Sequence, residues 1–186
     1  MDLREAIYSR RSVREFSARA VQGQALRRLI DAAIQAPSAV NSQPWSFTVV
    51  QDRELLARIS THSKAHMLAT PAREVSLHRL EAMLRDPGFD IFYGAPALIV
   101  ISSVAADRWA TENCALAAEN LMLAAHAEGL GSCWIGFAQG WLGTPDGRAA
   151  IGVPPNYVPV APLIVGYPKA PPPAVARKEP EVHWIG

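Results

Sequence analysis

Four short stretches of this chain hold the residue types that do chemistry. Arg10-Arg11-Ser12-Val13-Arg14 packs three guanidinium groups and a hydroxyl into five residues, a donor set suited to a phosphate or another anion. A solvated basic helix end would look the same. Ala36-Pro37-Ser38-Ala39-Val40-Asn41-Ser42-Gln43-Pro44-Trp45 is a loop of short polar side chains with rigid residues at both ends. Such loops suit the polar edge of a heterocycle, although a structural connector is equally compatible with the pattern. Gly129-Leu130-Gly131-Ser132-Cys133-Trp134-Ile135-Gly136-Phe137 sets glycines around bulky apolar residues. Glycine admits a close backbone approach, Trp134 and Ile135 are candidates to pack on a planar ring, and a free backbone N–H can point at one ring atom. A buried strand with turns gives the same pattern. Arg177-Lys178, by itself ordinary surface charge, ends a proline-rich stretch.

The elements that must position these stretches are legible from periodicity. Leu26, Leu29, Ile30, Ala33 and Ile34 repeat at helical spacing with Arg27, Arg28, Asp31 and Gln35 opposite, and Pro37 stops that helix. Phe47-Thr48-Val49-Val50 reads as a short strand, after which Asp52 can cap another short helix. Between about 60 and 92 the pattern is helical but polar and irregular, which predicts a mobile lid outside the core. Ala97–Ile101 is an unbroken apolar run, expected at the sheet centre with both faces covered. A long helix from Arg108 to Glu128 follows, apolar nearly all round in its middle and closed by Gly129. Burial on most sides is expected, by a second subunit if not by this chain. Thr144-Pro145 opens a short helix that Gly152 closes, Leu163-Ile164-Val165 is a last strand, and an extended tail runs over 168–186. Helices alternating with buried strands predict a single α+β or α/β layered domain over 1–186.

Bulk properties exclude several function classes. With 18 basic and 17 acidic residues the formal net charge is +1, so no global field favours nucleic acid or an acidic membrane surface. No stretch approaches the roughly 20 apolar residues of a membrane helix, and the charged N-terminus does not resemble a signal peptide. Cys114 and Cys133 are far apart and in no metal-binding spacing, which fits a reducing cytoplasm and argues against a disulfide scaffold or an iron–sulfur cluster. His62 and His66 share a helical face with His78 nearby, but no Glu follows His62 in a His-Glu-x-x-His pattern; solvated histidines account for them better than zinc. Cys133 lacks an evident His partner and reads as a structural thiol.

Taken together and in this order, the four stretches resemble the nitroreductase family of FMN enzymes. Arg10 to Arg14 is similar to its Arg-Arg-Ser-x-Arg opening, and Ala36 to Trp45 resembles its Ala-Pro-Ser-x-x-Asn-x-Gln-Pro-Trp loop almost residue for residue. Gly94-Ala95-Pro96, Asn120 to Ala125, Gly129-Leu130-Gly131, Gly166-Tyr167-Pro168 and Arg177 also follow the pattern. The likeness spans essentially the whole chain and is weakest between 60 and 92.

The resemblance implies an α+β fold with a central, mostly antiparallel sheet between helix layers, in three layers α/β/α. It implies a homodimer binding two FMN at its interface, with NADH or NADPH as electron donor and a small acceptor such as a nitroaromatic or quinone in a ping-pong cycle. By similarity Arg10, Arg11, Ser12, Arg177 and Lys178 bind the phosphate and ribityl chain. Arg14 sits by the N1 and C2 carbonyl edge, where a fixed cation stabilises the reduced ring. Pro37, Ser38, Ala39, Asn41 and Gln43 come from the partner subunit, and Trp134, Ile135 and Gly136 line one face of the ring, the Gly136 N–H directed at N5. No side chain is singled out as catalytic. Competing readings are a flavin carrier or sensor without turnover, and a dehalogenase-like or flavin-fragmenting branch of the fold; the latter ranks lower because 186 residues leave little room for the larger lids of those branches.

Overall fold

The apolar run at Ala97–Ile101 becomes the middle strand of the molecule. A computed structural model describes residues 1–70 and 77–186. In chain order the elements are α1 (Leu3–Ser9), α2 (Gly23–Ala33), β1 (Trp45–Val50), α3 (Arg53–Ala69), α4 (Leu77–Arg85), β2 (Ala97–Ser103), α5 (Ala110–Ala127), β3 (Gly131–Trp134), α6 (Gly136–Leu142), α7 (Pro145–Ala150) and β4 (Val158–Gly166). The sheet has the order β1-β2-β4-β3 with every neighbouring pair antiparallel. Every residue of β2 is buried.

Two cores sit on the two faces of that sheet. Ile99 and Ile101 of β2, with Leu163 and Val165 of β4, pack against Leu26, Leu29 and Ala33 of α2 and against Ala117, Leu121 and Ala125 of α5. Leu98, Val100 and Ile164 alternate to the other face and meet Ile59 of α3 and Ala138 and Leu142 of α6. The result is the α/β/α sandwich expected, and the alternation explains why β2 reads as continuously apolar: both of its faces are covered.

Helix ends follow their sequence signals. Asp52 Oδ1 accepts from the Leu55 N–H at 2.7 Å and Thr144 Oγ1 from the Gly147 N–H at 3.1 Å. Gly129 takes φ +75°, and the Leu130 N–H reaches back to the Ala125 carbonyl at 2.8 Å, closing α5. Two helices give no periodic signal: α1 buries only Ala6, and α6 is too short to show a period.

Several boundaries move. The helix capped by Asp52 is not short; it runs 17 residues. Ser60 and Ser63 on α3 are buried, as are Leu84, Ile91 and Phe92. That corrects the expectation that all of 60–92 lies outside the core. The inward positions of α3 carry serines, which break the apolar stripe; Ser60 Oγ accepts from the buried Ile91 N–H at 3.1 Å. Residues 71–76 of that stretch lie outside the described residues.

The last strand begins earlier than its apolar triplet because it contains Pro159 and Pro162. Proline is normally excluded from interior strands, lacking the N–H a ladder needs. Here Pro162 pairs with Val100 on one side, and on the other its carbonyl accepts from Ile135, just past the end of β3, at 2.8 Å. Its missing donor therefore faces a place where the neighbouring strand has already left the sheet. Pro159 sits opposite Ser102, beside the register shift between Ile101 and Ser102. After Gly166 the chain is extended and, beyond Lys169, mostly exposed.

Candidate functional site

Two of the four stretches come together along one edge of the sheet. Ser12 forms a parallel bridge to Ser132 of β3, and the Val13 N–H donates to the Ser132 carbonyl at 3.0 Å. The ribbon Arg10–Arg14 thus acts as a rudimentary outer strand. Gly131 is required for this approach, since a Cβ there would lie 2.7 Å from the Cβ of Val13. Val13 points inward and is buried, which leaves Ser12 and Arg14 outward and exposed.

Each cation on this ribbon has a different setting. The Arg10 Nε lies 3.4 Å from Glu119 Oε1 of α5. Arg11 donates from Nη1 to the Tyr8 and Arg10 carbonyls, both at 2.8 Å, while its Nε is buried without a partner. Arg14 sits 5.9 Å from the ring centroid of Tyr93, and Tyr93 takes φ +54°, a left-handed conformation a tyrosine seldom adopts. Phe89 stands edge-on to both Tyr93 and Phe137, so the ring cluster adjoins Gly136 through its chain neighbour.

The turn from β3 into α6 offers mainly backbone. Ile135 is buried in the core shared with α3 and α6, and half-buried Trp134 packs against the opposite core. Within the chain the Ile135 side chain is turned into the core, while that of Trp134 keeps partial exposure. Gly136 differs. A Cβ at this position would have no atom within 4 Å, and as the first residue of α6 its N–H has no intrahelical acceptor. That is an open shelf with a backbone donor on it.

The polar loop is held elsewhere. Asn113 of α5, 2% exposed, accepts from the Ala39 N–H through Oδ1 at 2.9 Å, and its backbone carbonyl accepts from Trp45 Nε1 at 2.9 Å. Ser38 Oγ accepts from the Gln43 N–H, and Gln43 Nε2 donates to Asn41 Oδ1 at 3.0 Å, so Ser38 and Gln43 shape the loop from within. Pro37 is exposed, and Val40, Asn41 and Gln43 all have positive φ, with Val40 98% exposed. A β-branched residue held left-handed and fully solvated is strain of the kind that clusters at binding sites. This loop enters β1, whereas the arginine ribbon flanks β3. Four strand spacings, about 19 Å, separate the two edges. One chain does not bring them together.

Arg177 and Lys178 are exposed in the tail, whose start is tied to the ribbon's continuation by the Ser17 N–H to the Tyr167 carbonyl at 2.8 Å and the Lys169 N–H to the Glu15 carbonyl at 3.0 Å. His62 is exposed, its ring stacked on Trp141 at 5.1 Å, and half-buried His66 lies against Gly140; the His78 side chain is outside the described residues. Cys114 and Cys133 are free and buried, and burial pushes the Cys114 thiol up to about 12. Sequence reasoning missed Asn113, Tyr93 and Phe137. Asn113 had one available signal, a polar residue on the inward face of an otherwise apolar helix.

The chain is thus a three-layer sandwich with a cationic ribbon and an open backbone shelf on one sheet edge. The fold has close counterparts. The nitroreductase of Bacteroides fragilis solved with bound FMN aligns with 100% of this chain and 98% of its own at TM-score 0.83 and 27% identity. An iodotyrosine deiodinase bound to FMN and 3-iodo-L-tyrosine aligns over 100% of both chains at TM-score 0.76 and 25% identity. A protein of Archaeoglobus fulgidus named "Putative NADH dehydrogenase/NAD(P)H nitroreductase" is 33% identical over 164 residues, 88% of this chain and 83% of the relative. Residues 7–167 match the family model of the Nitroreductase family, and the chain belongs to that family.

Proposed function

We propose that this chain is an FMN-dependent oxidoreductase that takes electrons from NADH or NADPH and delivers them to a small acceptor such as a nitroaromatic or quinone. The observation that carries the reading is the arginine ribbon clamped beside β3, next to the open shelf at Gly136. Its parts fit the three faces of FMN: Arg10, Arg11 and Ser12 for the phosphate, Arg14 for the electron-rich edge, the Gly136 N–H and flanking backbone for the ring. The relatives named above, bound to FMN or named for NAD(P)H, support the same cofactors.

When bound, the flavin supplies hydride and single-electron chemistry at N5. The chain's own residues bind, orient and polarise. Arg14, 5.9 Å from the Tyr93 ring centroid, would supply a cation where negative charge grows on reduction. The Gly136 N–H would be free to donate to one ring atom, with no side chain of its own in the way. Donor and acceptor would use the same open space beside the shelf in turn, which would give a ping-pong order.

The loop Pro37–Gln43 completes the site from a partner subunit. Its distance from the ribbon and the solvated Val40 support a homodimer, as do Leu3 and Ile7 of α1 and Leu116 of α5, apolar and exposed. In this reading residues 1–186 form one domain, and the tail from 168 carries Arg177 and Lys178 to the phosphate. Among the described residues no helix is long and apolar enough to cross a membrane, and the two free thiols suit the cytoplasm.

The test is anaerobic stopped flow of the FMN-loaded protein. Bleaching of the oxidised flavin band by NADH or NADPH, with reoxidation by a quinone after the donor has left, is expected. No reduction by either nucleotide sinks the enzyme reading in favour of a flavin carrier or sensor. The likeness to an iodotyrosine deiodinase keeps reductive dehalogenation as a second reading, tested by iodide release from 3-iodo-L-tyrosine.

A further inference from the structure

A cavity of about 390 Å³ lies behind the arginine ribbon, bounded by Arg10, Arg11, His126, the backbone from Gly129 to Ser132, and Lys169 with the prolines after it. Arg10, paired with Glu119, Arg11, held by two backbone carbonyls, and Lys169 place three cationic residues on its wall. His126, in the last turn of α5, is the titratable group among them, and its orientation is set. Ser9 Oγ is 2.6 Å from the Glu5 carbonyl, to which it must donate its one proton, and 2.7 Å from His126 Nε2. With that proton spent, the Ser9 oxygen accepts from Nε2. The neutral ring therefore carries its hydrogen on Nε2, and Nδ1 becomes a donor only when the ring is protonated.

We propose that His126 is a titrating member of the anion site: protonated, it adds a cation and an Nδ1 donor beside Arg10, Arg11 and Lys169, so that phosphate or sulfate binds more tightly as pH falls. The inference rests on the FMN reading only for the identity of the anion.

The charged groups around the ring are Glu5, Arg10 and Arg11 from α1 and the ribbon, Lys169 from the tail, the Met1 end at the cavity rim, and Glu119 on α5, which is engaged by Arg10. Burial, then Arg10, hold His126 below its ordinary value; Glu5 works the other way and Arg11 adds to the lowering. An anion between the arginines and the ring offsets that repulsion and raises the pKa. The sign follows from linkage. The extra affinity is fully present below the free-state pKa and is lost as pH rises through the bound-state pKa.

Sulfate is the probe, because it stays dianionic across this range whereas a phosphate monoester titrates near pH ~6. His126 ring resonances are followed by NMR against pH with and without sulfate, the peak assigned in the unaltered protein from its proximity to Ser9. Sulfate affinity is measured from about pH 5.5 to about pH 8 in the unaltered protein and in His126→Gln, spanning an ordinary histidine pKa. An upward move of the His126 pKa on sulfate binding is expected. A rise of about one in that pKa corresponds to roughly tenfold tighter binding at the acid end, and that histidine-dependent rise is lost in His126→Gln. A His126 titration indifferent to sulfate overturns the proposal, as does an unchanged pH profile in His126→Gln. The NMR arm uses the unaltered protein and does not depend on the variant folding. Coupling to sulfate in a protein that cannot bind FMN would sink the flavin reading and leave this one standing; FMN binding without coupling does the reverse.

Discussion

Replacing Gly131 with alanine attacks the joint between ribbon and sheet. The new Cβ would sit 2.7, 2.7 and 2.9 Å from Cβ, Cγ2 and Cγ1 of Val13. No rotamer of Val13 escapes, because its Cβ is itself one of the offending atoms, and the residue is only 7% exposed. The ribbon must retreat about 1 Å to reach an ordinary carbon contact of about 3.5–4.0 Å. That retreat stretches the 3.0 Å bond from the Val13 N–H to the Ser132 carbonyl beyond bonding range. Overpacking of this kind costs about 1–3 kcal/mol and the lost hydrogen bond about 0.5–1.5, giving roughly 2–4 kcal/mol in total. Since Arg10, Ser12 and Arg14 ride on the ribbon, FMN affinity should fall as well. Urea unfolding with and without FMN, alongside fluorescence titration of the flavin, separates the two effects. Gly136→Ala is the control: its Cβ meets nothing in this chain, so stability should hold while flavin binding weakens. A Gly131→Ala protein within about 0.5 kcal/mol of the parent, a typical surface-substitution effect, and equally good at binding FMN would refute the reasoning.

Asn113→Ala removes the acceptor that the Ala39 N–H uses, and a loss of about 1.4 kcal/mol at the loop predicts FMN affinity about tenfold weaker. Flavin titration checks it, and unaltered affinity would detach the loop from the site. Leu163→Ala empties a fully buried position between β4 and the α2–α5 layer and should lower unfolding free energy by about 2–5 kcal/mol in a denaturant titration. Cys114, its thiol raised from 9.0 to about 12, should resist thiol reagents at neutral pH until denaturant is added; fast labelling of the native protein would contradict its burial. The raised value also gives a sign with pH. This thiol's contribution is fully present below 9.0 and is lost as pH climbs toward about 12, which alkaline denaturation curves can follow.

How much of this was legible depended on whether a residue's neighbours were local. The central strand, α2, α5 and the caps at Asp52 and Thr144 are set by nearby periodicity and short-range hydrogen bonds, and they appear where periodicity puts them. The inward face of α3 was hidden because Ser60 and Ser63 occupy it, and a hydroxyl that accepts from a residue 31 positions away, as Ser60 does, cannot be told from a solvated one in a string. Pro162 hid the first half of β4, since its tolerance depends on where β3 ends. At the site, residue types suggest anion, ring and polar-edge donors, but their partners within the chain cannot be read from them. Nothing at Asn113 announces that it restrains a loop 74 residues away, and nothing at Ile135 says that its side chain turns into the core while its backbone stays with the turn. Composition names the ligand better than it names the geometry.

Halves of one site on two sheet edges, as proposed, would have a genetic consequence. On the proposed dimer, a protomer crippled in the ribbon, for instance at Ser12, still offers an intact loop, and one crippled at Asn41 still offers an intact ribbon. Co-expressed, the two defects segregate: in every mixed dimer one pocket collects both lesions and the other collects neither. Two inactive alleles would then complement each other, and the mixed dimer would hold one flavin instead of two.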